Sequence, residues 1–175
     1  MAKRDFIHRM IMISLLALGI IALRIWVFEP VTITKQMANH YLKEKDLVIA
    51  VKGKEIKYGD FVLYQVDGTE YVGRVIAMEG DSVTYMDDVL YRNNEIVEEQ
   101  YLKKSANHHQ DYYTEDVMIP SVTERNYLIL NDNRKNREDS RTFGLISSHQ
   151  IIGRLTFRVS PISEFGFIDI GLTHE

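Results

Sequence analysis

Cysteine is absent from the 175 residues, so neither a disulfide framework nor a thiolate metal site can form. A chain of this length can be stable without such staples, so the absence says little about compartment. An excess of basic residues is also lacking. Lys and Arg total 21 against 25 Asp and Glu, a formal charge of -4. That balance argues against a nucleic-acid partner, because no surplus of cations exists to displace counterions. Proline occurs only three times, as Pro30, Pro120 and Pro161. There is no internal repeat and no low-complexity linker, and after Phe28 no long stretch repeats with a helical period.

What is present begins with one apolar run. Residues Met10 to Leu23 are apolar apart from Ser14 and Gly19, and Ile25, Trp26, Val27 and Phe28 continue the run beyond Arg24. Together these approach the ~20 residues needed to cross a bilayer. Arg24 can extend its charged end to the interface while its stem stays in lipid, with Trp26 and Phe28 beside it. Lys3, Arg4 and Arg9 precede the run. The positive-inside rule then places residues 1–9 in the cytoplasm, a transmembrane anchor at 10–28 and a domain outside the cell membrane from 29 to 175. A cleaved signal peptide, cut near Ala17-Leu18-Gly19, is the competing expectation, but it leaves another apolar stretch at the new terminus.

Beyond the anchor the chain breaks into short strand-like runs. These are Val31–Thr34, Leu47–Val51, Phe61–Tyr64, Tyr71–Ala77, Ser82–Tyr85, Val89–Tyr91, Glu95–Val97, Tyr127–Leu130 and Ile151–Val159. Turn residues separate them, among them Tyr58-Gly59-Asp60, Asp67-Gly68, Glu79-Gly80-Asp81, Asp87-Asp88 and Asn93-Asn94. Gly144 and Gly153 punctuate strands in the same way. The expected fold is mainly β, one antiparallel sheet or barrel domain behind one N-terminal transmembrane helix. The polar stretch Gln100 to Glu115 reads as an exposed loop. His108 and His109 within it are adjacent, and neighbours on a strand or helix face different ways, so no metal site is expected.

Three ordered blocks carry more specific information. The first is Phe28-Glu29-Pro30-Val31, then Gln36-Met37 and Asp46-Leu47-Val48. The second is Tyr58-Gly59-Asp60, then Tyr71-Val72-Gly73-Arg74-Val75 through Gly80-Asp81. The third is Asn131-Asp132-Asn133-Arg134, Asp139-Ser140-Arg141, Phe143-Gly144 and Gly153-Arg154. In this order, behind this anchor, the blocks resemble those of type I signal peptidases. The resemblance implies that family's β fold and a chemistry in which a Ser nucleophile is activated by a Lys base. Such a base acts near neutral pH only where burial disfavours its charged form.

Matched residue by residue, the resemblance puts Gln36 or Met37 at the Ser position and Gly73 at the Lys position. A Gln amide forms no acyl-enzyme, a Met thioether has no proton to lose, and Gly has no side chain. Arg74 next door stays protonated. Arg137 stands where a Ser would orient the Lys, and Asn131 where a Gly is usual. The matched motif residues Asp132, Asn133, Arg134, Asp139, Ser140 and Arg141 remain, and read as structural. Asp139 and Arg141 are expected to pair bidentately, or separately with Asp132 and Arg134.

The chain is therefore expected to lack catalytic residues, cofactor and metal. A peptide can still be held by strand addition, which needs backbone groups and pockets but no nucleophile. The candidate groove is Val31, Thr32, Ile33 and Thr34 facing Tyr71, Val72, Arg74 and Val75, with Gly73 leaving room where a Lys would sit. The competing expectation is a filled cleft, plugged by Tyr41 or His40. The sequence is similar to the dyad-less, SipA-type pilus assembly proteins of Gram-positive cocci. That likeness implies a chaperone-like role toward pilin subunits and a pilus sortase. An active signal peptidase using displaced residues is the alternative.

Overall fold

The computed structural model describes residues 2–102 and 114–172. One long helix, α1 (Ala2–Trp26), precedes strand β1 (Phe28–Thr32). Its stretch from Arg4 to Trp26 is long and apolar enough to cross a membrane, and none of it is buried against the rest of the chain. The helix ends before Phe28, which lies in the first strand and not in the anchor as expected. Glu29 fastens this junction. Its carboxylate accepts from Arg24 Nη1 at 2.8 Å and meets Lys52 Nζ at 2.9 Å, while Lys52 also donates to the Ile25 carbonyl at 3.1 Å. The hydrogen bond from Lys52, with Arg24 assisting, holds the Glu29 carboxyl below its ordinary value.

The remaining strands are β2 (Leu47–Val51), β3 (Phe61–Val66), β4 (Thr69–Ala77), β5 (Val83–Met86), β6 (Val89–Arg92), β7 (Glu95–Val97), β8 (Val117–Ile119), β9 (Asn126–Leu130), β10 (Ile146–Ser147), β11 (Ile151–Ser160) and β12 (Gly166–Phe167). A short helix, α2 (Ser140–Phe143), joins β9 to β10. The first strand is shifted from the expected Val31–Thr34, because its pairing with β2 begins at Phe28↔Val51 and ends at Thr32↔Leu47. β8, β10 and β12 are additional to the expected set.

A large antiparallel sheet runs β1-β2-β11-β3-β4-β9-β10, with β12 on the far part of β11. A smaller sheet runs β7-β6-β5-β8. Strand β3 shows why the large sheet is stable. Phe61 and Leu63 turn to one core with Val31, Ile33, Val48 and Val72, while Val62 and Tyr64 turn to another with Val75, Ile129 and Ile146. Both faces are covered, so the strand is a continuous apolar run instead of an alternating one. A third core joins the two sheets through Ile76, Val83, Tyr85, Leu90, Tyr101 and Leu128. Gly153 lies inside β11 and does not end a strand. A Cβ there would come within 2.9 Å of the Val51 carbonyl, so β2 and β11 approach too closely for any side chain.

The stretch expected to be an exposed loop is partly core. Tyr101 and Thr114 are buried, and Glu99 accepts hydrogen bonds from Tyr85 (2.9 Å), Tyr101 (2.6 Å) and Arg134 (2.5 Å). His108 and His109 lie outside the described residues. Burial raises the phenols of Tyr64, Tyr85 and Tyr101 above their ordinary 10.0. A raised folded-state value means that the contribution is complete below the unfolded value and is lost as pH climbs above it. The three tyrosines are expected to stay un-ionised until the domain unfolds at alkaline pH. A step in tyrosinate absorbance should therefore coincide with the loss of circular dichroism, and ionisation of all ten tyrosines while the fold persists would contradict this burial.

Candidate functional site

The site begins with a gap in the large sheet. Asp67 and Gly68 both have positive φ, 49° and 81°, and close the two-residue hairpin between β3 and β4 at Val66↔Thr69. Alternation from that closing pair turns the N–H and C=O groups of Tyr71 and Gly73 toward β3, and those of Glu70 and Val72 to the other side. On that other side β9 pairs with β4 only from Arg74↔Leu130 onward. The first half of β4 is thus an edge inside the sheet.

Beyond Leu130 the chain bends away. The Asn131 N–H donates to Asp139 Oδ2 at 2.9 Å, and Asn136 Nδ2 reaches across to the Gln36 carbonyl at 3.0 Å. The gap becomes a cleft of about 230 Å3 lined by three segments. They are Thr34, Gln36 and Met37, then Thr69 to Val72 on β4, and Asn131, Asn136 and Glu138 on the returning loop.

Gln36 and Met37 both line the cleft. Gln36 is exposed, and Met37 packs its side chain against the core of the large sheet. Gly73 does not line it. A Cβ at Gly73 would sit 2.5 Å from Ile129 Cγ2 and 3.3 Å from the Leu130 carbonyl oxygen, so the expected room is already filled by a fully buried Ile129. Of the expected groove, only Thr34, Tyr71 and Val72 are in place. Val31, Ile33 and Val75 are buried in the two cores, because inward strand positions serve packing, and Thr32 is exposed but outside the lining. Neither Tyr41 nor His40 enters the cleft. Tyr41 packs beside Phe61 and bonds the Tyr101 carbonyl.

Arg74 is likewise no groove residue. Its guanidinium has no exposure and grips Asp132 with two bonds, Nε to Oδ1 at 2.7 Å and Nη2 to Oδ2 at 2.6 Å. Nη1 donates to the carbonyls of Gly59 (2.9 Å) and Ile170 (2.6 Å), and the plane lies over Tyr101 and Phe61. Asp132 therefore pairs with Arg74 and not with Arg141, and the partner of Arg134 is Glu99 and not Asp139. The Asp139–Arg141 pair forms as expected, Nη2 to Oδ2 at 2.7 Å and Nε to Oδ1 at 2.9 Å. Asp139 also caps α2 through the Arg141 N–H. Ser140 Oγ accepts from the Ile129 N–H at 2.9 Å, so this hydroxyl holds strand β9 in position. Asn133 is exposed, and Arg137 pairs with Glu115 at the surface.

The cleft thus offers backbone donors and acceptors, amides, hydroxyls and two exposed carboxylates, and among the described residues no Lys, Arg or His lines it. Among the described residues no group of three His, Asp or Glu side chains is placed to hold a metal ion. The family model for signal peptidase, peptidase S26, matches residues 3–160. The chain belongs to the S26 signal peptidase family. It is 32% identical to signal peptidase IB of Staphylococcus aureus strain MRSA252, over 94% of this chain and 95% of that one. It is 31% identical to signal peptidase I of Bacillus caldolyticus, over 83% of this chain and 86% of that one. The crystal structure of signal peptidase I from Enterococcus faecalis superposes with a TM-score of 0.52 at 30% identity, covering 59% of this chain and 98% of the other. The S26 fold is therefore a mainly antiparallel β domain behind one apolar helix, as its sequence pattern predicts.

Proposed function

We propose that this S26 homologue binds polypeptide without cutting it. Helix α1 anchors it in the cell membrane with its amino terminus in the cytoplasm. The cleft beside β4 holds extended segments of pilin subunits by strand addition, so that a sortase can join them. The observation that carries the non-proteolytic reading is the packing of Ile129 over Gly73, where an added Cβ would lie only 2.5 Å from Ile129 Cγ2, because the position matched to the base has neither a side chain nor space for one. Gln36 and Met37 at the position matched to the nucleophile support it, and so does a cleft in which, among the described residues, the bases are the exposed carboxylates of Glu70 and Glu138. A carboxylate is intrinsically a far weaker base than the neutral amine of a lysine, and activates a hydroxyl less well. The open edge at Glu70 and Val72 supports the strand-addition reading. The pilin and sortase partners rest on the sequence likeness to dyad-less pilus assembly proteins.

Gene deletion tests the role, and Glu70→Pro tests the mode of binding. Deletion is expected to abolish polymerised surface pilin while secreted proteins are processed normally. Glu70 is exposed at the open edge, where proline is tolerated but removes one outward N–H. Losing one such bond, worth about 0.5–1.5 kcal/mol, should weaken pilin co-purification by about two- to tenfold with little change in stability. Normal pili in the deletion strain would remove the assembly role, and undiminished capture by Glu70→Pro would remove strand addition at β4. The second reading, an active peptidase with displaced catalytic groups, is favoured by the relatives' names and by their match over 94% of this chain.

A further inference from the structure

The small sheet is apolar on both faces. Its inner face packs Val83, Tyr85 and Leu90 into the core that joins the two sheets. Cross-strand register puts Met118, Thr84, Tyr91 and Ile96 in one row across all four strands on the other face, with Met86 and Val89 paired in the next row. Met118 is 73% exposed, Ile96 65% and Met86 50%. An antiparallel sheet with one face in water ordinarily alternates apolar and polar residues, and the outward positions here break that alternation at every strand. Two of the exposed side chains are methionines, which adapt to varied apolar partners.

Among the described residues, the charged side chains at the β5–β6 end of this face are acidic. Asp87 and Asp88 form the β5–β6 turn, and the Asp87 N–H donates to Asp116 Oδ1 at 3.2 Å, which brings Asp116 to the same end. Glu98 follows Ile96 by two residues and so closes the other side of that end. The one arginine in these strands, Arg92, is turned inward, where it donates to the Ile76 carbonyl at 2.9 Å and lies over the Tyr58 ring. A second copy of this chain is a poor match, since pairing the face with itself brings the acidic rims together on a chain of net charge -4.

We propose that this outer face docks a protein partner whose contacting segment presents apolar side chains flanked by lysine or arginine. The apolar row supplies the buried contact area, and the carboxylate rim selects the sign of the partner and speeds encounter. The surface is separate from the β4 cleft, and the inference stands whether or not the chain cleaves peptides.

The test uses the full chain in nanodiscs of zwitterionic lipid and two labelled peptides of roughly ten residues, one alternating Lys with Val and one alternating Glu with Val. Fluorescence anisotropy, corrected for empty nanodiscs, is expected to show binding of the Lys–Val peptide alone. Ile96→Glu and Met118→Glu should each weaken it by about tenfold or more, as expected of central apolar contacts. Raising salt from about 0.1 M to about 1 M, which shortens the Debye length from about 10 to about 3 Å, should weaken it further. Both positions are exposed, so an unchanged unfolding midpoint verifies that each variant is folded. Equal binding of the two peptides overturns the proposal. So does binding that survives both substitutions, as it would if the peptide entered the cleft. A dimer in sedimentation that Ile96→Glu dissolves overturns it in favour of a second copy.

Discussion

Replacing Asp132 by alanine is expected to lower the unfolding free energy by about 3–5 kcal/mol, the largest loss from a single polar substitution in this chain. The cause is the charge left behind. Arg74 has no solvent exposure, and its guanidinium relies on the two Asp132 oxygens at 2.7 and 2.6 Å. Without them a buried cation faces two carbonyls and the rings of Tyr101 and Phe61, none of which neutralises it. Removing both partners should be far milder. The double substitution Arg74→Met with Asp132→Leu replaces the pair by apolar groups of similar volume, and such exchanges are often nearly neutral. Urea unfolding of the detergent-solubilised chain, followed by circular dichroism, distinguishes the cases. If the double variant is as unstable as Asp132→Ala, the loss comes from shape and not from uncompensated charge. The pair also ties strand β4 to the loop that begins at Asn131, which is one wall of the cleft, so Asp132→Ala should weaken polypeptide capture as well.

The second large effect concerns Gly73. Glycine inside a strand ordinarily costs about 0.5–1 kcal/mol relative to alanine, so a free site would gain stability from Gly73→Ala. Here the added Cβ meets Ile129 Cγ2 at 2.5 Å, and Ile129 is fully buried between Val62, Val75 and Ile146. The sign should therefore reverse, with Gly73→Ala losing about 1–3 kcal/mol through overpacking. Gly73→Lys should lose more, because its stem needs further space and its amine would be buried in an apolar cluster. Ile129→Ala costs stability alone but should restore part of what Gly73→Ala loses, and a double-mutant cycle measures that coupling. Additive effects would mean that the two residues do not compete for the same space. The same contact bears on function: adding Gln36→Ser to Gly73→Lys is expected to leave cleavage feeble.

The longer strands and the turns between them were the most legible part of the chain. Leu47–Val51 and Glu95–Val97 are strands at the residues where their composition and flanking turns placed them. β8, β10 and β12 were hidden, since two or three residues carry no period and Val117–Ile119 adjoins a polar stretch. Tyr101 looked like part of that stretch because a single buried tyrosine, held by Glu99 just before the stretch, leaves no repeating pattern. The site was only half legible. The identities of Gln36, Met37 and Gly73 are plain in the sequence, but the contact that fills the space beside Gly73 comes from Ile129, on a strand that meets β4 only in the fold. For the same reason the sequence offers nearby Arg141 as a partner for Asp132, when its partner is Arg74, 58 positions away.

The central claim is that the cleft holds polypeptide and does not cut it. The most direct measurement incubates the purified, detergent-solubilised chain with a preprotein, following both its retention on the immobilised chain and its mass over time. The account predicts a retained preprotein of unchanged mass, with retention reduced by Glu70→Pro. Release of a mature protein cut cleanly at the signal site would contradict it.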